Sequence, residues 1–347
     1  MFQQNKIVAG DCLKVLPQIQ NKKFDLIFAD PPYNIGYDYD RYQDVQDHEK
    51  YVNWTEQWMK LCAESLAESG SFWIIIGAEY AAEVRIIGRK LGLELRNWII
   101  WHYSFGQNAV NKFSRSHAHI FYFVKDADNF TFHDEPIRTF SDRERIYKDK
   151  RAKLTGRMPF DVWTEFPRVC GSFAEKQDWH PCQIPESILA RIIRVCSNPD
   201  DLIFDPFAGS GTTLAVAKKL SRDYFGIELS AKYVAGIEKR LSQILPLQDE
   251  ISAGENWSDQ QVQYLKNAYR DYAVPVATLE RSPEMLHRFA VRFNWRIKHS
   301  LREPIEISGE QILKQLCLLR LAHKLPKIKV YFKEQQKKSS QILSEFL

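Results

Sequence analysis

An apolar run, Phe24-Asp-Leu-Ile-Phe-Ala29, is cut off by Asp30-Pro31-Pro32-Tyr33. A short run of this kind reads as a buried strand. The two prolines cannot donate to a sheet ladder, so pairing has to stop there. Asp30 and Tyr33 are then held on a stiff turn at the carboxyl end of a strand, the edge where open α/β sheets bind ligands. The Asp30 carboxylate and the Pro31 carbonyl can together accept both hydrogens of an exocyclic amine on a nucleobase, and Tyr33 offers a flat face to its ring. Alone, the tetrapeptide is equally read as a proline-stiffened turn without chemistry. A second stretch, about 175 residues downstream, bears on that choice.

There, the strand Asp201-Leu-Ile-Phe204 runs into Asp205-Pro-Phe-Ala-Gly-Ser-Gly-Thr-Thr213, which opens a helix over 214–220. Gly209 and Gly211 let the backbone turn tightly and approach a ligand closely. The helix start presents free N–H groups and a positive dipole end to a carboxylate or phosphate. The next strand, Tyr224-Phe-Gly-Ile227, ends in Glu228, an acidic position suited to ribose hydroxyls. These features describe a site for a nucleoside with a small charged tail. The spacing is not that of a dinucleotide site, and no Gly-Lys-Ser/Thr follows, which argues against a P-loop. A tight turn used only for packing is the competing reading.

The remaining elements set the frame. Lys6 to Gly10 reads as a short strand and 13–19 as a short helix. A helix is expected over 49–69, closed by Gly70, then a strand over 72–76 and a helix over 80–91 closed by Gly92. Strands over 93–101 and 119–124 follow, and a helix over 185–196 precedes the second motif. Between them, the tyrosine-rich stretch 34–47 reads as a mobile loop over the site. The alternation implies an α/β protein with a Rossmann-like, doubly wound, mostly parallel sheet. The catalytic domain is expected to take residues 1–125 and 180–245. A charged insertion over 126–179 and a small, mainly helical module over 258–347 stand apart from it.

Composition narrows the setting. No apolar run in the 347 residues approaches the ~18–20 needed to span a membrane, and the start lacks the apolar stretch of a signal peptide. A cytoplasmic, nucleoid-associated protein is the expectation. The six cysteines are scattered with no C-x-x-C pair, which suggests neither zinc nor a disulfide framework. His117 and His119 alternate along a strand, where structural or DNA-facing roles fit better than metal ligation. Net charge is +4 overall, but Arg281 to Lys338 holds 14 Lys and Arg against 5 Glu, and Arg138 to Arg157 holds 8 basic against 3 acidic residues. Such segments suit a polyanion partner, or are solvated helix faces.

Asp205-Pro-Phe-Ala-Gly-Ser-Gly-Thr-Thr213, with Asp30-Pro-Pro-Tyr33 upstream and His180-Pro-Cys-Gln-Ile-Pro185 between them, resembles the amino-methyltransferases of DNA, which act on adenine N6 or cytosine N4. The order, with the catalytic motif first, is similar to their beta class. The resemblance covers residues ~6 to ~240. It implies S-adenosylmethionine as cofactor, lined by Phe207, Gly209, Gly211 and Thr212, with Asp205 supporting the loop. By the same resemblance Glu228 takes the ribose hydroxyls, Asp11 and Cys12 meet the adenine, and His180 and Gln183 belong to the cofactor side. Ile184 stands where the family usually has lysine, so no charge contact is expected there. The resemblance makes Asp30, Pro31, Pro32 and Tyr33 the catalytic group, 126–179 the target-recognition segment and double-stranded DNA the partner. Asp at the head of the tetrapeptide is the form typical of adenine-N6 enzymes. Cytosine N4 is the nearest alternative, and a DNA-binding module without catalysis the next. The basic C-terminal module either grips phosphates or serves packing and homodimer formation. Whether a partner nuclease exists is not written in the sequence.

Overall fold

The computed structural model describes residues 3–19, 21, 23–103, 109–134, 137, 157–171, 173, 175–244, 257–272, 274, 276–281, 283–298, 307–321 and 324–326. Most of the first basic segment, 138–156, and the lysine-rich end, 327–347, lie outside the described residues. The chain folds as two units, Met1–His133 with Phe160–Gln248, and Asp134–Pro159 with Asp249–Leu347. Residues 126–133 and 160–179 of the expected insertion therefore fold with the sheet.

The first unit is built on an eight-stranded sheet. Its strands are β1 (Lys6–Ala9), β2 (Phe24–Ala29), β3 (Leu66–Ile76), β4 (Glu94–His102), β5 (His117–Val124), β6 (Val162–Trp163), β7 (Leu202–Asp205) and β8 (Asp223–Glu228). Their spatial order is β1-β8-β7-β2-β3-β5-β4-β6. Every pairing is parallel except the two made by β5, which runs against β3 and β4. Its helices are α1 (Cys12–Val15), α2 (His48–Ser65), α3 (Ala81–Lys90), α4 (Glu186–Cys196), α5 (Thr212–Lys219) and α6 (Ala231–Ser242). The central strands β2, β7 and β8 bury both faces; Phe24, Phe204 and Phe225 stack from these neighbouring strands inside the core, the first pair with centroids 4.4 Å apart.

β2 and β7 are neighbours, with Leu26 opposite Ile203 and Ile27 opposite Phe204. From β2 the chain moves through α2 to β3 on one side; from β7 it moves through α5 to β8 on the other. The connections diverge between these two strands, which makes the gap beyond their carboxyl ends a topological switch point. Asp30 follows one end and Asp205 closes the other.

Two expectations differ from what forms, and one helix is unexpected. The helix expected to reach Gly70 stops at Ser65, and Leu66 already pairs with Phe24. Residues 66–71 bulge past Phe24–Leu26, and a Cβ at Gly70 would sit 3.0 Å from the Asp25 carbonyl oxygen. Pairing with a distant strand thus overrides a locally helical pattern. The short helix of 13–19 starts one residue earlier, capped by Asp11, and tightens to a 3-10 turn over Leu16–Ile19, which contains Pro17. Helix α6, unassigned from sequence, starts at Ser230, whose hydroxyl accepts from the Tyr233 N–H.

The second unit contains α7 (Asp259–Tyr272), α8 (Val276–Arg281), α9 (Pro283–Lys298) and α10 (Gly309–Leu321) around Leu265, Tyr269, Phe289, Phe293, Ile312 and Leu316. Two reciprocal capping boxes start its first and last helices: Ser258 with Gln261, and Ser308 with Gln311, exchange side-chain and backbone hydrogen bonds.

Candidate active site

Asp30 leaves β2 partly buried on the cleft wall, and desolvation there pushes its pKa up to about 7 against the opposing effect of a hydrogen bond. That bond comes from the Tyr33 hydroxyl, 2.9 Å from Asp30 Oδ1. Tyr33 thereby orients the carboxyl, and burial with the Asp30 charge beside it raises the phenol in turn. Its ring needs the bare backbone of Gly77, where a Cβ would lie 3.2 Å from Tyr33 Cδ2. The Pro32 carbonyl accepts from the Tyr51 hydroxyl at 2.6 Å, so α2 fixes the turn from below.

The stretch 34–47 is more ordered than its composition suggests. Buried Asp44 accepts from the backbone N–H groups of Asn34, Ile35 and Tyr37 at 2.7–3.1 Å. The Asn34 amide bonds Gln46 and the Tyr80 hydroxyl. From this hub the loop reaches the start of α6: the Ser230 hydroxyl donates to Asp40 at 2.6 Å.

The glycine bend meets the same edge. Asp205 accepts from the Phe207 N–H at 2.9 Å, and burial raises its carboxyl to about 7. Gly209 and Gly211 adopt φ of 52° and 73°. A Cβ at Gly211 would come within 2.7 Å of Ile237, so both backbone sign and space demand glycine. Glu228 receives the Gly209 N–H at 2.8 Å and the Ser230 N–H at 2.9 Å, one on each oxygen. Each oxygen keeps a lone pair for a further donor such as a ribose hydroxyl.

His180 packs against this bend, its Nε2 lying 3.1 Å from where a Gly209 Cβ would be. Burial lowers its pKa to about 4, so the ring is neutral at physiological pH. Nδ1 accepts from the Cys182 N–H at 3.3 Å, leaving the proton on Nε2, towards the bend. Asp11 caps α1 through the Leu13 N–H, and burial pushes the Cys12 thiol up to about 12.

A solvent-open cleft of about 1120 Å³ joins these pieces. Asp30, Pro32, Asp11, Cys12, Asp205, Phe207, Gly209, Thr212, Glu228 and His180 all line it. Pro31, Tyr33 and Gly211 are not among its lining residues. Nor is Gln183, whose amide is spent on the Gln177 N–H and the Glu175 carbonyl at 2.9 Å each. Its position is that of a brace for the 175–177 turn. Trp54 and Arg240 have no counterpart among the residues expected from sequence, whereas Tyr39 belongs to the tyrosine-rich loop expected over the site. Trp54 of α2 walls the cleft against Phe207, centroids 5.6 Å apart. Tyr39 enters from the 34–47 loop. Buried Arg240 donates to the Ser210 carbonyl at 2.8 Å and the Thr212 hydroxyl at 3.2 Å while pairing with Glu186. The helical phase of Trp54 against Trp58 is the one signal available in the sequence.

The family described as DNA methylase matches residues 24–239, a span that contains both motifs and the whole of the cleft's switch point. This chain belongs to the DNA methylase family. Among DNA methylases it is 32% identical over 237 residues to the type II methyltransferase M.HpaI of Haemophilus parainfluenzae, covering 68% of this chain and 74% of that protein. It is 36% identical over 236 residues to the DNA adenine methyltransferase YhdJ of Escherichia coli K12, covering 66% and 79%. A solved cytosine-N4-specific PvuII DNA methyltransferase shares the fold, with a TM-score of 0.54 at 19% identity over 73% of this chain and 89% of that one. The helices of the second unit lie beyond the DNA methylase match.

Proposed function

We propose that this DNA methylase transfers the methyl group of S-adenosylmethionine to the N6 amine of an adenine turned out of duplex DNA. The observation that carries the reading is the meeting of Asp30 and the glycine bend at adjacent carboxyl strand ends, on one cleft. Bound S-adenosylmethionine supplies an electrophilic methyl. Phe207 and Gly209 would flank its tail, Glu228 would take its ribose and Asp11 with Cys12 its adenine. An exocyclic amine is a weak nucleophile because its lone pair is delocalised into the ring. Asp30, held by Tyr33, would accept one amine hydrogen and the Pro31 carbonyl the other, favouring the pyramidal nitrogen. Fixing both reactants supplies much of the rate. The base must leave the stack, at a cost of about a few kcal/mol.

The test is nucleoside analysis of unmethylated duplex DNA incubated with the protein and labelled S-adenosylmethionine. N6-methyladenine is the expected product; N4-methylcytosine would overturn the choice of base, and unlabelled DNA would overturn the reaction. Sequencing that registers modified bases then gives the target.

Asp30 also sets a pH dependence. Its carboxylate is the accepting form, and its pKa of about 7 places the change near neutrality. kcat/KM should fall about tenfold per pH unit below ~7 and level off above it. Asp205 titrates in the same range, so cofactor affinity measured in parallel separates the two carboxyls. A flat rate profile from pH 5 to 9 would argue against the accepting role.

The residues of 126–179 and 258–347 are the proposed means of holding DNA, the first for target choice and the second for gripping phosphates. If so, removing 258–347 makes the decline of affinity with log[salt] shallower, by about 0.9 for each phosphate that the unit neutralises. An unchanged slope would leave that unit a packing role.

A further inference from the structure

Residues 109–116, between β4 and β5, carry the most exposed aromatic side chain among the described residues: Phe113 is 100% exposed, with Val110 at 85%. Asn111 turns the chain there with φ of 63°. The root of the loop, by contrast, is tied down. The Tyr103 N–H donates to the Ser116 carbonyl at 2.9 Å, and Arg115 forms a bidentate pair with Glu79, one arm at 2.9 Å. Glu79 crowds the same glycine, Gly77, as the ring of Tyr33. Tyr103 carries the Arg168 guanidinium 5.7 Å over its ring, and Arg168 in turn bonds the thiol of Cys182 on the cleft wall. The base of 109–116 is thus fixed to the catalytic turn and to the cleft, while Phe113 itself stands fully exposed.

Topology puts it on the right edge. β4 is antiparallel to β5, which is antiparallel to β3, so β4 ends on the same side of the sheet as β2. It stands three positions from β2, about 14 Å at normal strand spacing, comparable with the ~12 Å width of a DNA major groove. From Tyr103 to His119 the sequence holds Lys112 and Arg115 and no carboxylate. Arg115 is spent on Glu79, which leaves Lys112 as the other cation of the stretch; a fully exposed phenyl ring beside a lysine suits a polyanion with stacked aromatic rings better than an apolar protein face.

We propose that Phe113 is a stacking wedge, entering the duplex at the position the target base vacates and stabilising the everted state. The inference rests on the methylation of a duplex base proposed above. Apolar side chains inserted between base steps are a known means of holding deformed DNA. The ring replaces stacking the departing base gives up, so its contribution is largest where eversion is costly and smallest where pairing is already broken.

The experiment uses the full chain and an oligonucleotide duplex carrying the site identified by modification sequencing, either fully paired or mismatched opposite the target. Transfer by the unaltered protein on the paired duplex tests the underlying reaction independently. Given that transfer, Phe113→Ala should lower kcat/KM on the paired duplex by roughly 10- to 100-fold and regain most of it on the mismatched one. Phe113→Trp should stay within a few-fold of the unaltered protein on both. With 2-aminopurine at the target, the fluorescence rise on eversion should be lost in Phe113→Ala and kept in Phe113→Trp. S-adenosylmethionine affinity, unchanged in both variants, certifies the fold, since Phe113 supports no core. Equal loss on paired and mismatched duplexes, or no loss on either, would overturn the wedge and leave methyl transfer standing.

Discussion

Asp30→Asn should reduce methyl transfer by about 10³-fold or more, leave S-adenosylmethionine affinity nearly unchanged and raise the thermal midpoint at pH 8. Asparagine keeps the shape and can still meet the Tyr33 hydroxyl, which bonds Asp30 at 2.9 Å. It offers a carbonyl or an NH2 to the incoming amine where a carboxylate would offer acceptors only, and the charge that balances a developing ammonium is gone. The stability gain has its own cause. Burial raises the Asp30 carboxyl from 3.8 to about 7 in the fold. Below pH ~4 both folded and unfolded chains hold the proton, and the buried neutral acid costs little. Between ~4 and ~7 the unfolded chain ionises first, so stability contributed by the protonated form is lost as pH rises through that window. Above it the fold holds a desolvated charge at a cost on the order of a few kcal/mol, which asparagine removes. Melting curves of the two proteins should therefore separate at pH 8 and converge near pH 4. Unaltered activity in Asp30→Asn would remove the proposed chemistry; a midpoint lowered at pH 8 would mean the carboxylate is better solvated than its burial implies.

How much of this can be read from the chain alone follows the range of the interactions. The turn after β2 announces itself because two prolines end a strand whatever surrounds it. The bend after β7 does so because Gly209 and Gly211 are needed for positive φ, and Gly211 also for its approach to Ile237. Both are local statements, and the sheet brings them to one rim. Gly70 misleads because its environment is a strand 45 residues away: Asp25 and the ladder of β2 decide that 66–70 is extended. The direction of β5 is equally hidden, since an apolar run does not reveal the sense in which it pairs. Asp44 looks like one polar residue in a polar loop; its three backbone donors can be seen only once the loop has closed. The family resemblance assigns Gln183 to the cofactor, yet its amide satisfies the turn at 175–177.

Arg240 is the sharpest case of a role with no local signature, and its removal should be felt in both stability and cofactor affinity. The side chain is 7% exposed at the end of α6, 28 residues from Thr212 and 54 from Glu186 in sequence. One guanidinium nitrogen supports the glycine bend through the Ser210 carbonyl at 2.8 Å, and another meets Glu186 Oε1 at 2.8 Å. Glu186 also receives Lys219 at 2.6 Å on its other oxygen, and its own N–H is held by Glu175 at 2.7 Å. Three helices, α4, α5 and α6, are therefore joined through one buried cation. Deleting a partner from a buried pair costs about 3–5 kcal/mol, because the remaining charge and carbonyl are left in a poor solvent. Lys219 keeps part of the neutralisation of Glu186, which places Arg240→Ala near the lower limit, about 3 kcal/mol. The loosened bend should weaken S-adenosylmethionine binding about tenfold, roughly the equivalent of 1.4 kcal/mol. Lysine at 240 keeps the charge but not the forked reach to both partners, so Arg240→Lys should fall between the two. Denaturant unfolding followed by tryptophan fluorescence, with cofactor titration calorimetry on each variant, gives both quantities. A loss under about 1 kcal/mol in Arg240→Ala, with affinity unchanged, would show that the bend stands by its own backbone bonds to Ile227 and Glu228 and that the arginine merely fills space.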